Sequence, residues 1–387
     1  MRANPVFTDM PTTVFEEMSG LARAHGALNL GQGFPDGPGP ADLRHSAARA
    51  LIDGSNQYAP SRGDPVLRRA VAEHYGRLQG LDLAPDQVVV TSGATEAIAA
   101  ALFALVRAGD EVLIFEPAYD AYRPLIERAG GRVRAIRLEP PLWHLSESAV
   151  EAAVTPATRL VLFNTPLNPA ARVFTTDEID ALARVCVRHD LIAISDEVWE
   201  HVVFDGRPHV SLLSADGMAE RTVKIGSAGK MFGMTGWKVG FACASLTLIE
   251  PVAKAHQFLT FSTPPNLQSA VAEGLAWGKD RFEAMGADLA ASRDRLAQGL
   301  MDEGYVTLPS QGTYFLSIDL AASGIRVGDI DFCRRIVEGF GVAAIPVSAF
   351  QSGTDQGPVV RLCFAKSDDV LDEAALRLGR ARRALVS

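Results

Sequence analysis

The sequence predicts an α/β protein: a three-layer α/β/α large domain around a mostly parallel, seven-stranded sheet, joined to a smaller α+β domain. Three observations carry this. Between residues 46 and 245, short β-branched runs alternate with helical patterns. Several runs are apolar without alternation, the mark of strands buried on both faces by crossover helices. Beyond residue 303 the order changes to three strands interleaved with two helices, which suits a separate α+β unit. At 387 residues the chain also exceeds what a single core usually organises. We expect residues 1–45 to form an N-terminal arm and part of the small domain, 46–285 the large domain, and 286–387 the small domain.

Taken in order, the first forty-odd residues are rich in Gly and Pro and read as irregular chain wrapping onto a surface. The strands of the large domain are "QVVV" (87–90), "EVLIF" (111–115), "RVRAI" (132–136), "RLVLF" (159–163), "LIAIS" (191–195), "TVKI" (222–225) and "VGFACA" (239–244). "AIAAALFALV" (97–106) is too short to span a bilayer and reads as a buried helix. "TTDEIDALARVCVRHD" (175–190) is a second helix, opened by Thr and Asp. The helical pattern over 266–303 is longer than an ordinary globular helix and is expected to break near Gly278. "TYFLSI", "VAAIPV" and "VVRLCFA" are the strands of the small domain. Its last helix starts at Ser367 with acids and ends in arginines, matching the helix dipole.

Composition narrows the function. A net charge of −9 and a pI near 5.4 leave no basic footprint for nucleic acid. No apolar run is long enough for a membrane span, and "MRANPVFTDMPTTVFEEM" lacks the apolar stretch of a signal peptide. Four scattered cysteines without a C-x-x-C pair suit a reducing compartment, so a cytoplasmic location is expected. The eight histidines show no metal-binding spacing, so no metal is expected.

In open parallel sheets, ligands bind beyond the carboxyl ends of the strands. Here "VVV" is followed by "TSGATEA", "VLIF" by "EPAYDAY", "LVLF" by "NTPLNP", "IAI" by "SDEVWEH" and "VKI" by "GSAGK". Each has a bland reading. Gly93, Ala94 and Thr95 could simply start a helix, or offer free N–H groups to a phosphate. Tyr119 could be packing, or stack on a flat cofactor. Asn168 precedes a proline and could serve a turn. Asp196 could cap a helix, and Lys230 could be a surface charge. Five strands delivering such groups to one edge point instead to a single site. A lysine, an acid one strand away and a phosphate turn are the needs of pyridoxal 5'-phosphate: the lysine forms a Schiff base, and the acid keeps the pyridine nitrogen protonated. The small residues before Lys230 give the cofactor room.

With these residues assembled, the chain resembles the class I aminotransferases of pyridoxal-phosphate fold type I, and within them the glutamine/kynurenine/methionine subgroup. "SAGKMFGMTGWKVG" (227–240), "LGQGFPDG" and "RLCFAKSDD" carry the resemblance, which covers nearly the whole chain. It implies a ping-pong transfer of an amino group between an L-amino acid and a 2-oxo acid. Lys230 would be covalent anchor and proton carrier, Asp196 the partner of the ring nitrogen, Asn168 a donor to the ring oxygen, and Tyr119 the cover of one ring face. Gly93, Ala94, Thr95, Ser227 and Lys238 would hold the phosphate. Tyr58 would reach the phosphate of a neighbouring subunit, implying a homodimer. Arg361, with Gly33 and Asn168, would clamp the substrate carboxylate.

Two positions depart from the family pattern. Trp199 stands where relatives carry a tyrosine that donates to the cofactor, so it either donates through its indole N–H or gives up that role. "NPAARVF" replaces the commoner "NPTGKVF". The resemblance favours a neutral donor such as glutamine, methionine or an aromatic amino acid (kynurenine included). Alternatives on the same scaffold are a cysteine-conjugate β-lyase and an N-succinyldiaminopimelate aminotransferase.

Overall fold

The structure is a computed structural model that describes residues 4–8, 10–353 and 357–386; the first three residues of the expected N-terminal arm lie outside it. Seven strands form the large sheet, in the spatial order Val88–Thr91, Gly240–Cys243, Thr222–Ser227, Ile192–Asp196, Thr158–Asn164, Glu111–Glu116, Arg132–Arg137. Gly240–Cys243 is antiparallel to both neighbours, and the remaining pairs are parallel. Each run expected from sequence is therefore a strand, and apart from the edge strand Arg132–Arg137, where only Ile136 is buried, the near-continuous burial follows from helices covering both faces.

Register is what gathers the strand ends. Asn164 pairs with Asp196 and Asp196 with Ile225, while Ser227 and Thr91 both pair with Gly240. The segments that follow these strands thus leave the sheet along one edge.

A second, antiparallel sheet runs Ile345–Pro346, Val359–Cys363, Phe315–Asp319, Val306–Thr307. The helical stretch after residue 264 divides into Pro265–Leu275 and Lys279–Asp302, and the break falls at Gly278, whose extended backbone caps the second helix. Ser367 occupies the N-cap of Asp368–Leu385, but its side chain makes no capping hydrogen bond. Among the described residues, no helix is long and apolar enough to cross a membrane.

The N-terminal region corrects the expectation of irregular surface chain. Val14–His25 is a helix, capped by Thr13 and ended by Gly26 in the left-handed conformation (φ 58°). Its apolar residues Val14, Phe15, Met18, Leu21 and Ala22 recur at helical spacing, a pattern masked by the Pro- and Gly-rich chain around it. Met18 and Ala22 are buried, and the helix packs on Asp329–Phe340. Leu28–Asn29 then pairs in parallel with Val342–Ala343.

A buried charge network lies beside the sheet. The Lys224 ammonium is held between Glu197 and Glu200, 2.7 Å from the latter. Glu197 also accepts from Ser195, Ser211 and His209, and Glu200 from Tyr75 and Gln79. Burial works against ionisation of Glu197, but Lys224 and His209 outweigh it and hold the carboxyl down at about 2. Glu197, Glu200 and His209 lie close enough together to suit a metal ion, yet the lysine already supplies their cation.

Removing one partner of such a network strands the opposite charge out of water, at about 3–5 kcal/mol. Lys224→Met is expected to lower the thermal midpoint by several degrees or more. A midpoint within a degree of the parent would show that the network contributes nothing net.

Candidate active site

A cavity of about 350 Å³ opens at the sheet edge where the strand ends gather. It is lined by Gly33, Gly93, Ala94, Thr95, Tyr119, Asn168, Asp196, Trp199, Ser227, Lys230, Lys238 and Arg361. Every site residue singled out in the sequence is there except Tyr58. That ring lies outside the cavity, 82% exposed, and meets Phe261 edge-on at 5.1 Å.

Lys230 sits in the four-residue helix Ala228–Met231 that follows strand Thr222–Ser227. Ser227 caps this helix by accepting from the Lys230 N–H, which leaves the serine hydroxyl hydrogen free to donate elsewhere. Tyr314 holds the Lys230 carbonyl from the opposite side at 2.7 Å. The lysine Nζ lies 3.3 Å from the Gly33 carbonyl and 4.7 Å from the centre of the Trp199 ring. Burial, with Arg361 and Lys238 adding like charge, pushes its amine down to about 8. Trp199 thus turns its π-face, rather than its N–H, to the lysine. Tyr314 and Phe315 pack edge-on against the indole and fix that orientation.

Asp196 ends its strand fully enclosed. Tyr122 donates to one carboxylate oxygen at 2.5 Å, and the Val198 N–H approaches the other. Asn164 donates to the Asp196 backbone carbonyl and accepts from the Asn168 N–H, tying two strand ends together. Burial outweighs the donors and pushes the Asp196 carboxyl up to about 6.

Arg361 comes from the smaller sheet, on strand Val359–Cys363. Its guanidinium donates to Asn168 Oδ1 at 2.9 Å and to the Gly31 carbonyl at 2.8 Å, and lies 3.8 Å over the Phe315 ring. Its Nε is buried without a hydrogen-bond partner. Burial pushes the guanidinium down to about 10. The backbone carbonyl on Arg361 is therefore that of Gly31, whereas the Gly33 carbonyl faces Lys230. A Cβ at Gly33 would stand 2.7 Å from the Phe315 ring, so only glycine fits there.

Gly93, with φ 80°, opens helix Ala94–Leu105, and a Cβ on it would stand 3.2 Å from Lys238 Nζ. The Gly93 N–H donates to the Thr91 carbonyl at 2.8 Å, so the free N–H groups that the turn presents beside the ammonium are those of Ala94 and Thr95. Lys238 is itself in the left-handed region (φ 54°). These residues fit pyridoxal phosphate on three counts. Asp196 is a buried carboxylate without a cationic partner at ion-pair distance among the described residues, Lys230 is a half-buried amine at the cavity wall without a carboxylate, and the turn with Lys238 is an anion cradle.

Sequence reasoning did not assign Tyr122, Asn164, Tyr314, Gly31 or Phe15. Tyr122 stood in the quoted "EPAYDAY", three residues after Tyr119, and its spacing onto the same helical turn was the available signal. Phe15, 5.3 Å from the Arg361 guanidinium, was hidden by the misread N-terminal helix.

The chain is similar to known proteins along nearly its whole length. Residues 26–378 match the family model described as aminotransferase class I and II. The chain is 45% identical over 379 residues to a Mycobacterium tuberculosis protein described as "Probable N-succinyldiaminopimelate aminotransferase", covering 95% of each chain. It is 41% identical over 368 residues to the methionine aminotransferase of Escherichia coli, again covering 95% of each. The solved structure of the M. tuberculosis N-succinyldiaminopimelate aminotransferase superposes with a TM-score of 0.95 at 44% identity, covering 98% of this chain and all of that one. The chain belongs to the class I and II aminotransferases. It is accordingly a pyridoxal-phosphate-dependent aminotransferase, acting on amino acid and 2-oxo acid substrates.

Two expectations arise from these charges. The Asp196 carboxyl has a folded pKa above its ordinary value, so its burial costs nothing below about 4 and its full amount above about 6. The difference is on the order of 3 kcal/mol. Asp196→Asn should therefore raise the thermal midpoint of the cofactor-free protein at pH 8 and leave it nearly unchanged at pH 4; no gain at pH 8 would contradict the buried charge. Trp199→Leu keeps an apolar, though smaller, side chain and removes the π-face, so it should lower the Lys230 midpoint below about 8, as read from the pH dependence of amine labelling followed by mass spectrometry. An unchanged midpoint would reduce the indole to a filler of volume.

Proposed function

We propose that Lys230 anchors pyridoxal phosphate covalently and that the enzyme moves an amino group from a neutral L-amino acid to a 2-oxo acid in two half-reactions. The observation that carries the anchoring role is the pair of unpaired charges that Lys230, just beyond one strand, and Asp196, at the end of the adjacent strand, present to one cavity. When bound, the cofactor supplies an electron sink for the carbon that loses its proton. The rest of the chemistry belongs to the chain. Asp196, oriented by Tyr122, holds a proton on the ring nitrogen. Tyr119 would cover a ring face, and Asn168, which accepts from Arg361, would also serve the ring oxygen. Gly93, Ala94, Thr95, Ser227 and Lys238 would hold the phosphate. An amine near 8 lets Lys230 be neutral in an appreciable fraction at physiological pH, as a proton-abstracting base must be. Arg361 receives the substrate carboxylate, which explains its unpaired Nε.

The preference for a neutral side chain is supported by the cavity wall. Lys230, Lys238 and Arg361 are its cations among the described residues, and each is already committed. Asp120 lines the same cavity and disfavours a second carboxylate, while Phe15, Phe34, Ile98 and Phe315 offer apolar surface. Methionine, glutamine and aromatic donors including kynurenine fit this wall. The 45% identity to the M. tuberculosis relative keeps N-succinyldiaminopimelate as the second reading. We further propose a cytoplasmic homodimer in which the exposed Tyr58 reaches the partner's phosphate, within a large domain of residues 46–285 and a small domain formed by 286–387 with part of 1–45.

The deciding experiment is an absorbance spectrum of the purified protein, before and after adding methionine, glutamine, phenylalanine or N-succinyldiaminopimelate without acceptor. A band near ~420 nm is expected, lost in Lys230→Ala and converted to shorter wavelength by a neutral donor. Conversion by N-succinyldiaminopimelate alone would establish the second reading. A band that survives in Lys230→Ala would remove Lys230 from its role. Arg361→Lys is expected to raise KM for the donor tenfold or more while leaving kcat less affected, because a point charge replaces a bidentate fork.

A further inference from the structure

His256 lies in helix Leu246–Leu259 with its side chain fully buried, outside the cavity that holds Lys230. Its Nδ1 is 3.0 Å from both carboxylate oxygens of Glu96, and its Nε2 is 2.8 Å from the Ser61 carbonyl. A backbone carbonyl only accepts, and so does an ionised carboxylate, so both ring nitrogens carry protons and the ring is an imidazolium. Glu96 is the charged group facing it; the Thr260 hydroxyl also approaches Nδ1 at 3.3 Å.

Both partners lead to the phosphate end of the site. Glu96 stands in the first turn of helix Ala94–Leu105 and reaches back to accept from the Ser92 N–H, immediately before Gly93. Ser61 follows Tyr58 by three residues in a segment stitched to the large sheet, where the Val90 N–H donates to the Arg62 carbonyl. Phe261, against which the Tyr58 ring packs, is five residues beyond His256 itself. One buried imidazolium thus bolts the phosphate turn, the Tyr58 segment and the end of helix Leu246–Leu259 to each other.

We infer that His256 is a positioning residue for phosphate recognition: its doubly donating ring fixes the turn around Gly93 and the Tyr58 segment in the geometry that binds the cofactor's phosphate. The inference rests on the phosphate-turn reading above. Neutralising the ring removes one of the two donated bonds and frees one segment from the other. Burial opposes the charge on His256, but Glu96 and the Ser61 carbonyl outweigh it and raise its pKa above the ordinary imidazole value. A raised histidine is charged below its folded pKa, so the positioning is lost as pH rises through that value. The cofactor phosphate has its own ionisation near about 6, which acts in the opposite direction by strengthening binding as pH rises.

The test is a titration of the cofactor-free protein with pyridoxal 5'-phosphate and, in parallel, with pyridoxal, which lacks the phosphate. Dissociation constants are read from absorbance between pH 6 and 9, with thermal midpoints alongside. Lys230 chemistry is common to both ligands, so the ratio of the two constants isolates the phosphate. His256→Gln is expected to weaken pyridoxal 5'-phosphate about tenfold and pyridoxal less than twofold. It should also abolish the loss of phosphate preference on the alkaline side. Glu96→Gln, which keeps an acceptor for Nδ1 but removes the charge, should move that loss to lower pH, and it carries the test if His256→Gln does not fold. Equal weakening of both ligands, or a phosphate preference unchanged in Glu96→Gln across the pH range, would overturn the inference. A parent protein that binds both ligands equally would instead overturn the phosphate-turn reading itself.

Discussion

Taking a charge out of water without giving it a counter-ion is the constraint around which this structure is organised. Asp196 and Arg361 are enclosed and Lys230 is half-buried at the cavity wall, and among the described residues none of them has an ion-pair partner within reach. Each is displaced from its ordinary titration in the direction that burial dictates. Lys224, Glu197 and Glu200 are buried completely, yet they satisfy one another. The two sets share a stretch of chain, since Glu197 directly follows Asp196. The paired set is structural; the unpaired set lines the cavity, where, on the function proposed above, it would meet the charges of a cofactor and a substrate.

Keeping such charges apart demands a stiff frame, and the sheet supplies it. The strand pairing fixes Asn164, Asp196 and Ser227 along one edge, and short side-chain bonds then lock each group in place. Tyr122 orients Asp196, Tyr314 fixes the backbone at Lys230, and Asn164 joins two strand ends. None of these residues needs to react. Their work is to leave the reacting groups no cheaper arrangement, which is how preorganised sites avoid reorganisation during a reaction. Arg361 reaches the same cavity from the second sheet, so the cavity wall is complete only where the two sheets meet.

Much of the site was legible before the fold was known. A lysine after small residues, an acid closing an apolar strand and a glycine turn opening a helix are local patterns with local causes, and all of them line one cavity. Trp199 was legible as a departure but not as an answer. Whether its N–H or its ring face would meet Lys230 depended on Tyr314 and Phe315, which pack on it from more than a hundred residues away. The N-terminal helix is hidden because its apolar spacing is set within Pro- and Gly-rich chain, and Phe15 is hidden with it. Gly31 and Gly33 lie two residues apart, and only the path of the chain decides which carbonyl serves Arg361 and which serves Lys230.

The sequence by itself determined the alternation of strands and helices, the chemistry offered at each strand end and the family resemblance, because each of these is written in neighbouring residues. The tertiary structure alone decided which charges would go unpaired, which face of an indole an amine would see, and that His256 would join Glu96 to Ser61. Those outcomes depend on contacts between residues far apart in the chain, and a charge has no fixed pKa or partner until the packing around it sets its dielectric and its neighbours.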